Sequence, residues 1–79
     1  MTIDEKRVER LEELAPRMRE VAVLVSEGLS RKEVAEEMML SEATVRLYIN
    51  KLVKALGIDV KRGRASVKIA RWVWEREHE

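Results

Sequence analysis

Four residues in the helix-length stretch from Glu42 to Leu56 carry the side chains that could do chemistry: Thr44, Leu47, Asn50 and Lys51. At about 100° per residue they share one side of a helix. An asparagine amide can bond adenine N6 and N7 together, a leucine can sit against a thymine methyl, and a hydroxyl or ammonium can reach a base edge or a phosphate. The face is therefore a candidate reader of base edges. Each residue also has a plainer use. Asn50 serves equally as a surface polar group, Thr44 can bond its own helix backbone, and a single exposed leucine is unremarkable. Arg46 and Lys54 flank the four, and cations on an outer helix face are most often simply solvated.

The elements needed to hold this face outward are legible around it. Val45, Ile49, Leu52, Val53 and Leu56 fall within about 100° of arc, a core-facing stripe opposite Ala43, Leu47, Asn50, Lys51 and Lys54. Ser41 can cap this helix, with Glu42 favourable in its first turn. A helix N-terminus can also hold a phosphate, which adds Ser41 to the phosphate-binding candidates. Just before it, Ser30 and Glu33 form a capping box that starts a helix to about Met38, burying Val34, Ala35 and Met38. Met39, Leu40 and Ser41 then make a turn of helix-turn-helix length.

Upstream, Pro16 fits the first position of a helix running to about Glu27, with Met18, Val21, Leu24 and Val25 inward and Gly28 as a left-handed stop. Residues 1–14 read as a short amphipathic leader helix, with Val8, Leu11 and Leu14 at helical spacing. Downstream, IDVKRG is a basic connector to a last helix from Arg64 to about Glu77. On it Val67, Ile69, Ala70, Val73 and Trp74 cover nearly half the circumference, with Trp72 just outside. That stripe is wider than one contact with a small core requires, and the excess reads as a partner surface. Nothing alternates with period two, so no strand is expected. The fold class is all-α: one domain over residues 1–79, with a helix-turn-helix core at 16–57.

Charge is segregated along the chain. The sum is only +1, yet residues 1–40 hold seven Lys and Arg against ten Asp and Glu, and residues 41–79 hold nine against five. From Arg46 to Arg71 there are eight cations and one anion, Asp59. Positive charge thus concentrates on the candidate reading helix and just beyond it, where phosphates would lie.

Composition excludes several classes. A chain of 79 residues buries only about 60% of its unfolded surface, which leaves little room for a water-excluding substrate pocket. There is no cysteine, hence no disulfide frame or thiolate zinc site. His78 is a lone histidine in a charged tail, and no nucleophile-base pair, carboxylate dyad or glycine-rich phosphate loop appears. An enzyme, a metal site, a cofactor and a small-molecule ligand are not expected. No apolar run approaches the roughly 20 residues that span a bilayer, and the charged N-terminus is unlike a signal peptide. The chain is expected in the cytoplasm.

Leu14 to Ile58 resembles the DNA-binding domain of the LuxR-type helix-turn-helix family of bacterial transcription regulators. The matching residues are Leu14, Pro16, Arg17, Glu20, Val21, Glu27-Gly28-Leu29-Ser30, Lys32-Glu33, Ala35, Ser41-Glu42-Ala43-Thr44-Val45 and Leu56-Gly57. GLSxKEVA followed shortly by SEATV is far more specific than either alone. The resemblance implies a four-helix domain that reads double-stranded DNA as a homodimer, with the third helix in the major groove and the fourth pairing the subunits. Ala15 stands where the family usually has Thr, Met18 where it has Glu, and Tyr48 where His is frequent. The connector from Asp59 to Gly63 is also a few residues longer.

The resulting expectation is a stand-alone, homodimeric, sequence-specific regulator of transcription. Thr44, Leu47, Asn50 and Lys51 would meet bases, and Arg17, Ser41, Arg46, Lys54, Lys61, Arg62 and Arg64 would meet phosphates. The dimer would use Val67, Ile69, Ala70, Trp72, Val73 and Trp74 of a C-terminal helix spanning 64–77. Two alternatives stand beside it. The fourth region of bacterial sigma factors shares LxPRxxEV, GxSxKEVA and SExTV, which would make RNA polymerase a partner. A protein-interaction module using the helix-turn-helix only as scaffold would bind no duplex.

Overall fold

The computed structural model describes residues 10–59 and 64–77. Four α-helices follow a short 3-10 turn: α1 (Pro16–Ser26), α2 (Arg31–Met38), α3 (Glu42–Leu56) and α4 (Ala65–Glu77). No strand occurs among the described residues, and none of their helices is long and apolar enough to cross a membrane.

Most of the expected leader helix lies outside the described residues. Its described end, Leu11–Glu13, is a single 3-10 turn, and Leu14 is already extended at φ −82°, ψ 147°. The cause is local. A proline forces the residue before it out of the helical region, and Ala15 accordingly sits at ψ 148°. Leu14 nonetheless drops its side chain into the core, so this corner anchors the chain ahead of α1. As its missing hydroxyl implies, Ala15 gives α1 no side-chain cap.

The caps of α2 and α3 are built as their sequences direct. Glu33 N–H donates to Ser30 Oγ at 3.1 Å, and Ser30 N–H donates to Glu33 Oε1 at 2.8 Å, completing the box. Thr44 N–H donates to Ser41 Oγ at 3.1 Å. Together these satisfy donors that a helix start leaves unpaired.

The first three helices end in the same way. A left-handed residue follows each, and the next N–H reaches back five residues: Leu29 to the Leu24 carbonyl, Leu40 to Ala35, and Ile58 to Val53. This is the Schellman arrangement. Two of the left-handed residues are glycines, Gly28 at φ 95° and Gly57 at φ 68°, but the third is Met39 at φ 58°. A Cβ at that φ crowds the following carbonyl, so the three-residue turn between α2 and α3 closes against a local steric cost. Met39 projects into solvent, 91% exposed.

One apolar core joins all four helices. Val21, Val34, Val45, Leu52, Ile69 and Val73 are its largest fully buried side chains. Tight packing of α1 against α4, and of α2 against α3, leaves α3 held on its inner side by the other three helices. Its outer side is left to solvent.

Candidate nucleic-acid interface

The inward stripe of α3 consists of Val45, Ile49, Leu52 and Leu56, all buried, with Val53 half-buried beside them. Helical geometry then turns Ala43, Arg46, Leu47, Asn50, Lys51 and Lys54 outward, and all six are exposed. Leu47 is 60% exposed among polar neighbours. No ion pair engages Arg46, Lys51 or Lys54 among the described residues, so their charge faces outward unneutralised.

Ser41 and Thr44 are coupled at the start of the helix. Besides accepting the Thr44 N–H, Ser41 Oγ donates to Thr44 Oγ1 at 2.9 Å. Thr44 is half-buried and uses its oxygen as acceptor for Ser41, leaving its own hydroxyl proton available to a further acceptor. Of the plainer readings of Thr44, bonding to its own helix backbone gives way to this side-chain pair.

Beside α3 lies a cleft of about 460 Å³ where the starts of α2 and α4 approach it. Arg31 and Arg64 line it from those two starts, and Arg46 and Asn50 from α3. Arg17, on the first turn of α1, is exposed. Lys61 and Arg62 lie outside the described residues.

Two short capped helices joined by a tight turn, with the second turning a mixed polar and cationic face outward, form a helix-turn-helix. Residues 12–69 match the sequence model of the GerE family, described as bacterial regulatory proteins, luxR family. The chain belongs to the luxR family. Similar proteins include the DNA-binding transcriptional activator DevR/DosR of Mycobacterium tuberculosis, 43% identical over 44 residues, which is 56% of this chain and 20% of that protein. The probable HTH-type transcriptional regulator GfsR of Streptomyces halstedii is 38% identical over 60 residues, 76% of this chain and 23% of its own length. The two-component response regulator PprB of Pseudomonas aeruginosa is 40% identical over 43 residues, 54% and 16% of the two chains. The chain spans about a fifth of the length of these relatives.

In this luxR-family module the last helix divides the six residues expected on a dimer face. Ile69, Trp72 and Val73 are buried inside the protomer, where Arg76 stacks over the Trp72 ring at 4.1 Å from its centroid. They cannot meet a partner without leaving the core. Val67 and Trp74 are each 59% exposed and Ala70 is half-buried between them. The apolar stripe expected from the sequence includes Trp74 and leaves Trp72 just outside, whereas the core takes Trp72 and leaves Trp74 exposed. Core packing follows Ile69, Trp72 and Val73, with Arg76 over the Trp72 ring, at i, i+3, i+4 and i+7 along one face. That spacing is present in the sequence, but a stripe drawn broadly enough to include Val67 hides it.

Sequence reasoning also passed over Arg31. As the first residue of α2 it looks like an ordinary exposed helix cation, and only the packing of α4 against the other helices brings Arg64 to the same cleft.

Proposed function

We propose that this chain binds double-stranded DNA sequence-specifically as a homodimer and so regulates transcription in the cytoplasm. The observation that carries the reading is the division of α3: one side locked into the core, the other presenting Leu47, Asn50 and Lys51 together with Arg46 and Lys54. In this reading α3 enters the major groove, where base pairs are distinguishable, and α2 crosses the phosphate backbone. Thr44, Leu47, Asn50 and Lys51 read or border base edges. Arg17, Ser41, Arg46, Lys54 and Arg64, with Lys61 and Arg62 of the connector, position the duplex through phosphates.

The dimer contact is assigned to the exposed apolar side of α4, Val67, Ala70 and Trp74, at i, i+3 and i+7 along one face. Dimeric helix-turn-helix proteins read two half-sites about one helical turn apart. Family membership and the regulatory descriptions of the relatives support the reading.

Selection of bound duplexes from a random pool tests it. A two-fold repeat of a short half-site is expected. A pool that stays random while binding remains strong would leave only unspecific backbone attraction, and the absence of salt-dependent binding to any duplex would favour a protein-interaction role. Co-purification with RNA polymerase and asymmetric promoter-like sites would instead favour the sigma-factor resemblance.

A further inference from the structure

The cleft beside α3 is lined by three arginines from three separate segments: Arg31 at the first turn of α2, Arg46 on α3, and Arg64 immediately before α4. Bringing like charges together is unfavourable unless something opposes them. No carboxylate forms an ion pair with any of the three among the described residues. Glu33, the nearest acidic residue along α2, has its carboxylate engaged by the Ser30 N–H. Glu42 borders a smaller adjoining cleft with Arg31 and Arg46, without pairing to either. Polar Asn50 and apolar Leu29 and Ile49 also line the cleft. The arrangement lacks an anion, and guanidinium forks match phosphate oxygens with paired hydrogen bonds.

We propose that Arg31, Arg46 and Arg64 form a clamp for one backbone phosphate of the DNA strand running beside α3, with Arg31 as a direct ligand. The inference rests on the DNA-binding reading above and deepens it. The cleft shares Arg46 and Asn50 with the reading face, so a strand whose bases meet Asn50 passes its mouth. Lys32, the next residue on α2, is exposed but does not line the cleft. The clamp therefore separates two adjacent cations that a diffuse positive field would treat alike. It also places a phosphate ligand at the head of α4, the helix assigned to the dimer.

The experiment compares the full chain with Arg31→Ala, Lys32→Ala and Asn50→Ala, measuring duplex affinity by fluorescence anisotropy across salt concentrations. Arg31→Ala is expected to weaken binding roughly ten-fold at low salt and to reduce the salt slope by about one, with sequence preference unchanged. Lys32→Ala is expected to leave the slope in place. Neutral methylphosphonate linkages, introduced one at a time, should reveal one phosphate per half-site whose neutralisation weakens the wild type clearly more than it weakens Arg31→Ala. Melting curves establish that each variant is folded, and Arg31→Gln replaces the alanine variant if it is not. Equal effects of Arg31→Ala and Lys32→Ala, or no effect of Arg31→Ala, overturn the clamp; an altered preference in Asn50→Ala would then still uphold base reading. Absence of salt-dependent binding by the wild type overturns both. Titration with adenosine monophosphate and with inorganic phosphate, followed by NMR, distinguishes the source. Saturable micromolar binding that Arg31→Ala removes would assign the cleft to a free phosphate ester and overturn the backbone assignment.

Discussion

Helices α3 and α4 bury similar apolar stripes in the same core, yet their outer sides differ in kind. The outer side of α3 sets one leucine, Leu47, among Arg46, Asn50, Lys51 and Lys54. The outer side of α4 sets Val67, Ala70 and Trp74 in a row, with Arg71 beside them. A face of the first kind gains little from an apolar partner, because its cations would have to shed water without a counter-charge. A duplex supplies that charge. A face of the second kind gains from removing a large ring from water, and aromatic residues dominate the energetics of such contacts. In the proposed reading, the two amphipathic helices meet a polyanion on one side and a second protomer on the other.

The sharpest way to break this division is to exchange the fates of the two tryptophans. Trp72 is 7% exposed and packs within the core beneath Arg76, so Trp72→Ala is expected to cost about 3–5 kcal/mol of folding stability. That loss is comparable with the whole stability of many small domains. Trp74→Ala is expected to change protomer stability by less than about 1 kcal/mol while weakening self-association. Chemical denaturation at low protein concentration measures the first quantity and sedimentation equilibrium the second. A Trp74→Ala variant that still dimerises fully would move the protein-binding face elsewhere and dissolve the contrast between the helices.

On α3 the expected effects are smaller and differ in kind. Asn50→Ala should alter which base is preferred at one position of the half-site, with discrimination changed by about 1–3 kcal/mol. Lys54→Ala should weaken binding to all duplexes alike and lower the salt slope by about one. Competition binding with single-base variants of the selected site, repeated across salt concentrations, separates the two. If both substitutions merely scaled affinity, the outer side of α3 would be a charged surface without base reading.

Much of this was legible in the residues because it depends on local rules. The Ser30–Glu33 box, the Ser41 cap, the stop at Gly28 and the inward stripe of α3 follow from side chains within a few positions of one another, and each is built as its residues direct. Family membership follows from the same segments. What was not legible depends on which direction an element faces in the packed molecule. The apolar residues of α4 cover about half its circumference or a little more, so a stripe drawn to include them all could not say that the core would take Trp72 and leave Trp74 outside. The convergence of Arg31, Arg46 and Arg64 needs three segments packed together, and no spacing in the chain encodes it.

The turn that couples α2 to α3 gives the smallest effect and a test of what that coupling costs. Gly28 and Gly57 occupy their left-handed positions freely, whereas Met39 holds φ 58° with a side chain that is 91% exposed and thus supplies little packing in return. Met39→Gly removes a Cβ clash of about 1–2 kcal/mol. Against this stands the greater freedom of glycine in the unfolded chain, roughly 0.5–1 kcal/mol. The balance favours the variant by a few tenths to about 1 kcal/mol, read as a higher denaturation midpoint at unchanged slope. Duplex affinity and preference should stay as they are, since the Schellman bonds from Met39 and Leu40 use backbone atoms that glycine also has. A stabilised variant with weakened DNA binding would mean that the Met39 side chain itself meets the duplex, which would extend the reading surface from α3 into the turn before it.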